Sequence, residues 1–159
     1  MKKGATKLIK NSKVLILSVL AVIATAFIGS RFTKIDLWYE SVKPSITPPN
    51  IVFPIVWTTL FILIAISMYL AISNSNKKTR NKIIILFAIN LILNVLWSLL
   101  FFTMHNPIIA FIDLVLLWLS IIAIMVVSWK ISKKASWLLL PYLLWVTFAG
   151  ILNYLVAFG

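Results

Sequence analysis

Cysteine is absent from the chain, histidine occurs once, and only Asp36, Glu40 and Asp113 are acidic. Without a thiol there is no disulfide, no thiolate nucleophile and no cysteine metal ligand. His105 has no carboxylate, cysteine or second histidine at metal-ligand spacing, so it reads as a solvated residue of a tight turn and no metal site is expected. The four glycines do not form a phosphate-cradling loop, and the apolar segments hold no paired carboxylates. The usual hydrolytic, redox-metal and nucleotide mechanisms therefore lack their parts. Any chemistry would have to come from tryptophans, a bound cofactor or light, and no obligatory cofactor is expected.

What the chain has in abundance is apolar surface. Of 159 residues, 62% are hydrophobic, well above the share in a soluble domain. A spanning helix needs about 20 mostly apolar residues. Five segments meet or approach that length, at 14–30, 51–72, 83–104, 107–129 and 135–158. The fold expected is an all-α integral membrane protein, a single domain over 1–159 built as a bundle of five transmembrane helices. The first span is the shortest and its basic flank resembles a signal peptide, but no A-x-A-like cleavage site follows it, so it is expected to be retained.

The formal charge of +12 comes from 15 basic residues that lie between the apolar segments and form no stripe on a soluble surface, so a nucleic-acid partner is not expected. Twelve of them sit before the first span and in the second and fourth connections: Lys2, Lys3, Lys7, Lys10, Lys13, Lys77, Lys78, Arg80, Lys82, Lys130, Lys133 and Lys134. Only Arg31, Lys34 and Lys43 fall on the other side. The positive-inside rule then puts the N-terminus in the cytoplasm. Heavy use of Ile, Asn and Lys fits an AT-rich bacterium, and a bacterial plasma membrane is the expected location.

Residues 83–129 are almost continuously apolar and too long for one span, so "MHNP" must break them, with Asn106 as cap and Pro107 in the first turn of the next helix. "SNSNKKTRNK" and "KISKKAS" read as polar turns. Only the first connection, 31–49, is long, and a long loop in a tightly connected bundle is where function is sought. Pro44, Pro48 and Pro49 stiffen it, and Pro54 falls near the start of the second span. Trp38 and Tyr39 precede these prolines, as interfacial anchors or as part of a pocket lid.

Helical spacing identifies the faces turned to protein. Asn90, Asn94, Trp97 and Phe101 share a stripe on the third span; Pro141, Trp145, Ala149 and Asn153 share one on the fifth; Trp57, Phe61 and Met68 share one on the second. The fourth contributes Asp113 and Ser120. Rings and amides on common stripes suit a large, flat, apolar ligand. Asparagine and serine also join transmembrane helices without binding anything, so each amide taken alone reads first as packing. Asp113 should be protonated, paired or near an aqueous edge, because a carboxylate within a span costs at least a few kcal/mol.

"WYESVKPSITPPNIVFPIVWTTLF", "NLILNVLWSLLFFTMHNPIIAFIDLVLLW" and "ASWLLLPYLLWVTFAGILNY" closely resemble the signature regions of the TspO/MBR family of tryptophan-rich sensory and translocator proteins, in order and spacing from Trp38 onward. The resemblance implies five transmembrane helices, a homodimer, and a first loop folded over a pocket for porphyrins, haem and similar planar hydrophobic ligands. Carried over by position, the ligand-binding residues would be Trp38, Tyr39, Trp57, Phe61, Asn94, Trp97, Asp113, Trp145 and Ala149. It also implies an alternative, a light-dependent porphyrin-degrading enzyme in which Trp57 and Trp145 would be the catalytic pair. A third reading is a structural or interaction protein without ligand. Two departures from the family pattern stand out. No basic residue follows Tyr154, so cholesterol binding is not supported, and Ile46 occupies a loop position where many members carry tryptophan.

Overall fold

The computed structural model describes residues 2–159, with side chains from Ser12 onward, so Lys2, Lys3, Lys7 and Lys10 of the charge argument lie outside the described side chains. Five helical segments are long and apolar enough to cross a membrane, and among the described residues there is no strand. In chain order the helices are α1 (Lys2–Phe32), α2 (Leu37–Val42), α3 (Val52–Asn74), α4 (Lys77–Ser98), α5 (Pro107–Trp129), α6 (Lys133–Trp137) and α7 (Leu140–Phe158). The protein is an all-α integral membrane bundle.

Local chemistry explains where the helices begin and end. Asn106 accepts the Ile109 N–H at 3.1 Å, and Pro107 opens α5 where a missing donor costs nothing. The polar stretch after α3 is largely helical, contrary to its reading as a turn. Asn76 accepts the Thr79 N–H at 2.9 Å, and the lysines and arginine beyond it are good helix formers, leaving Ser75 and Asn76 as the connection. "KISKKAS" shortens likewise, because Ser132 caps α6. That helix stops at Trp137, four residues before Pro141, whose ring would meet its carbonyl. The long first loop carries a helix the sequence reading did not place, α2.

Beyond Ser98, α4 continues through five residues of wider turn, Leu99–Thr103. Met104 N–H reaches back to the Leu99 carbonyl at 2.9 Å, and Asn106 N–H to that of Leu100 at 3.0 Å. The extra residue in such a turn shifts the faces presented after it. Here both Phe101 and Phe102 are buried. Thr103 Oγ1 donates to the Phe32 carbonyl at 2.9 Å, tying the end of α1 to the end of α4.

Around the bundle, α1 packs on α3 and α4, α4 on α5, and α5 on α7, while α3 touches α7 only lightly. Ile83, Phe87, Ile121, Ile124, Ala135 and Leu139 are almost wholly buried and concentrate the core toward the α3–α4 turn. At the other end a smaller cluster, Tyr39, Leu100, Phe101, Phe102 and Ala110, lies beneath α2. Leu17, Ile62, Ile92 and Leu144 face outward, where lipid tails are as apolar as they are.

Because lipid gives apolar side chains little reason to leave it, interhelical hydrogen bonds matter more here than their number suggests. Asn94 Nδ2 donates to Tyr142 Oη at 3.1 Å, Tyr142 Oη donates to Asn90 Oδ1 at 3.3 Å, and Asn90 Nδ2 donates to Ser120 Oγ at 2.8 Å. One chain of bonds thus joins α4, α5 and α7. Ser67 Oγ adds a bond to the Ala135 carbonyl at 2.7 Å, holding α6 to α3. Tyr142→Phe should destabilise the bundle by about 0.6 to 1.7 kcal/mol, the range of interhelical bonds in membranes. Detergent-titrated unfolding followed by circular dichroism checks this, with native helix content unchanged.

Candidate functional site

Asp36 builds the lid by accepting the Tyr39 N–H at 3.0 Å, which starts α2. Lys43 closes the helix through its N–H to the Tyr39 carbonyl at 3.0 Å, and Pro44 forbids another turn. Glu40 pairs with Lys43 and accepts from Asn50 Nδ2 at 3.3 Å, linking α2 to the run that leads into α3.

The lid is clasped to the α4–α5 turn. Trp38 stacks on His105, with centroids 4.2 Å apart and planes at 15°, and meets Phe101 edge-on at 5.6 Å. His105 Nε2 lies 3.3 Å from Asp36 Oδ2. Tyr39 turns inward against Phe102 at 5.4 Å. His105 is an exposed loop residue, as expected from the sequence, but one engaged with the lid, which the sequence did not show. Its φ of 50° is a left-handed backbone that histidine adopts more readily than most side chains, and it aims the ring at the lid. The Tyr39 N–H, followed by the charge and hydrogen bond of His105, holds the Asp36 carboxyl below its ordinary value. Burial pushes the Tyr39 hydroxyl up, so it stays neutral.

Under α2 lies a cavity of about 370 Å³ between α1, α3 and α4. Five of the nine residues carried over from the resemblance line it: Tyr39, Trp57, Phe61, Asn94 and Trp97. Trp57 and Phe61 tilt against each other at 5.4 Å, and Trp97 stacks on Phe101 at 5.4 Å and 21°. Asn94 brings an amide already fixed by Tyr142. Trp97 is held in turn, its Nε1 donating to Asn153 Oδ1 at 3.0 Å while Asn153 Nδ2 donates to the Pro107 carbonyl at 2.8 Å. Asn50, held by Glu40, is a second amide in the lining, and rigid rings with oriented amides can sandwich a flat apolar molecule and read its edge.

The other four residues sit elsewhere. Trp38 clasps the lid. Trp145 packs edge-on against Phe53 at 5.8 Å, one ring behind the cavity wall. Ala149 lines a separate space of about 40 Å³ that shares Tyr39 and Trp97 with the larger one. Asp113 is buried in α5 away from the cavity, and neither carboxylate oxygen has a hydrogen-bond partner among the described residues. It is thus unpaired among the described residues. On α7, Pro141 is exposed, so the stripe read from the sequence begins only at Trp145.

Sequence reasoning missed the wall given by α1, where Thr25, Ala26, Gly29 and Ser30 face the cavity. A signal was there: Ala21, Thr25, Gly29 and Thr33 place small residues every four positions along the first span. Thr25 and Thr33 turn their hydroxyls onto the Ala21 and Gly29 carbonyls, each at 3.0 Å, which leaves that wall mostly apolar.

The model of the TspO/MBR family matches residues 18–158. The chain belongs to the TspO/MBR family. It is 44% identical to the tryptophan-rich protein TspO of Chlorobaculum tepidum, over 84% of this chain and 87% of that one. It is 42% identical to the protein of the same name in Archaeoglobus fulgidus, over 89% and 94%. It is also 34% identical to the human translocator protein, over 82% and 80%. Membership of the TspO/MBR family agrees with the resemblance seen in the signature stretches. The placement of individual side chains rests on the geometry of this chain.

The clasp has a pH dependence. A carboxyl held below its ordinary value contributes to the closed lid above the free-state value of 3.8, and loses that contribution as the pH falls through its lowered value. Acidification below 3.8 should therefore lower the protection of the α2 amides, their hydrogen exchange being taken relative to the intrinsic rate at each pH. Asp36→Ala should do the same at neutral pH, by several-fold, whereas Asp36→Asn keeps the cap and loses only the pairing with His105. Exchange measured by mass spectrometry over residues 37–42 checks both.

Proposed function

We propose that this TspO/MBR membrane protein is a receptor or carrier for planar hydrophobic ligands of the tetrapyrrole class, porphyrin or haem, taken up beneath α2. The observation that carries this reading is the cavity itself, which sets Tyr39, Trp57, Phe61 and Trp97 around the oriented amide of Asn94, with Asn50 also in its lining. Its volume of about 370 Å³ is near the small end of ligand pockets, which run from roughly 300 to 1,000 Å³. A macrocycle would therefore be taken with α2 lifted from its clasp. Trp38, Trp145, Asp113 and Ala149 act from outside the wall in this reading.

Protoporphyrin IX should quench the tryptophan fluorescence saturably in the micromolar range. Trp97→Ala or Trp57→Ala should weaken binding about tenfold, as expected for one ring contact and its buried area. Trp145→Ala, one ring removed, should weaken it less. Absence of saturable quenching overturns the proposal and leaves a structural or interaction role. The second reading, light-dependent porphyrin breakdown with Trp57 and Trp145, has Trp57 in the wall but Trp145 behind Phe53. Illumination separates the two, because a carrier returns its porphyrin unchanged whereas an enzyme yields a new absorption band.

The basic residues of the α3–α4 and α5–α6 connections support a bacterial plasma membrane orientation with the N-terminus in the cytoplasm. The proposed unit is a homodimer, which cross-linking would reveal at twice 18.0 kDa. Because the chain has no cysteine, single reporters are unambiguous. An impermeant maleimide should label Ser45→Cys, exposed in the first loop, in intact cells and Ser75→Cys only after lysis. The reverse pattern would overturn the orientation.

A further inference from the structure

At the end of the bundle opposite α2, the α3–α4 turn and the close of α5 enclose a second concavity of about 580 Å³. Lys78 and Lys82 reach it from the start of α4 and Lys130 from the cap of α5, with Asn74 and Thr79 beside them and Val126 on its apolar wall. No carboxylate balances this charge. The chain has three acidic residues; Asp36 and Glu40 lie on the lid at the other end, and Asp113 is buried near the opposite end of α5. The ion pairs among the described residues, Glu40–Lys43 and Asp36–His105, both belong to the lid. Arg80, on the same turns of α4, has its Nε shielded and without a hydrogen-bond partner.

A separate observation fixes the depth of this concavity. Trp129 and Trp137 are both about half exposed and meet edge-on at 5.9 Å, with Lys133 Nζ 5.4 Å over the Trp129 ring. Tryptophan rings and lysines of this kind favour the headgroup level, and Trp129 immediately precedes Lys130. The concavity is thus cationic on its polar side, apolar toward the spans, and placed where bilayer phosphates lie. Basic pockets between transmembrane helices at this depth suit anionic lipid headgroups. Lysine stems can lie along an apolar wall while their ammonium groups meet a phosphate. A free phosphate would satisfy the lysines and leave the apolar wall unused.

We propose that this concavity binds an anionic phospholipid, its phosphate held by Lys78, Lys82 and Lys130 and its glycerol end against Val126. The bound lipid bridges the start of α4 to the end of α5 and offsets charge that no acidic side chain reaches. The site is independent of the cavity under α2 and of what that cavity binds.

The test is native mass spectrometry of the full chain, released from micelles holding equal amounts of phosphatidylglycerol and phosphatidylcholine with the same acyl chains. The wild-type protein should retain phosphatidylglycerol over phosphatidylcholine by about fivefold or more. Lys78→Gln, Lys82→Gln and Lys130→Gln together should abolish the preference. Lys77→Gln, Lys133→Gln and Lys134→Gln together remove the same charge from the same end but outside the concavity, and should preserve it. Equal retention of both lipids by the wild-type protein overturns the proposal without reference to any variant. Equal loss in both triple variants also overturns it, in favour of a diffuse surface potential. Displacement of the lipid by millimolar inorganic phosphate, itself retained, would assign the lysines to a free phosphate and overturn the lipid site.

Discussion

The Tyr142 hydroxyl accepts a hydrogen bond from Asn94 and donates one to Asn90, and the arrangement of the helices depends on that pair of bonds. In a bilayer the apolar side chains gain little by leaving lipid for protein, so the helices need polar contacts and close packing to choose their neighbours. Tyr142 is almost wholly buried and brings α7 to α4, while Asn90 carries the chain of bonds on to Ser120 of α5. The same bonds orient Asn94, whose amide faces the cavity. Folding and the candidate site thus share one polar network.

From that network the molecule divides along its length. Toward the α3–α4 turn Ile83, Phe87, Ile121 and Ile124 fill the interior, and the space that remains is the outer concavity beside Lys78, Lys82 and Lys130. Toward α2 the wide turn at Leu99–Thr103 and the left-handed backbone of His105 rearrange the aromatic side chains. Phe101 and Phe102 become a buried platform, and His105 presents a flat face to Trp38. Such departures from regular helix cost free energy and persist where the surroundings impose them. Their effect here is to give a short amphipathic helix a surface on which to sit, and so to roof a cavity that the rest of the bundle would leave open.

Much of this was legible from residue order. Five apolar runs separated by basic connections indicated the spans, and "MHNP" located the hairpin between α4 and α5 because asparagine caps and proline initiates. The stripes through Asn94, Trp97, Trp57 and Phe61 pointed to walls that do meet. Other features were misread for identifiable reasons. Lysines and arginine after Asn76 looked like a turn because their charge was weighed above their helix propensity. The helix at Leu37–Val42 is too short for periodicity to reveal, although Asp36 before it and Pro44 after it marked its ends. The contribution of α1 was hidden in small residues, which signal close approach without naming the partner.

By itself the sequence determined that this protein crosses a membrane as helices, where those helices are broken, and which of their faces seek protein rather than lipid. Those properties follow from hydrophobicity, hydrogen-bonding capacity and period, all local to a run of some twenty residues. Only the tertiary structure decided which interior faces meet. It set Trp57 and Trp97 around a common space, left Trp145 behind Phe53, separated Asp113 from the cavity, and made the loop residue His105 half of a clasp. The reason is geometric. A stripe fixes the direction of side chains about one axis, whereas a cavity depends on the rotation and spacing of several axes, set by bonds such as those of Tyr142 between residues far apart in the chain.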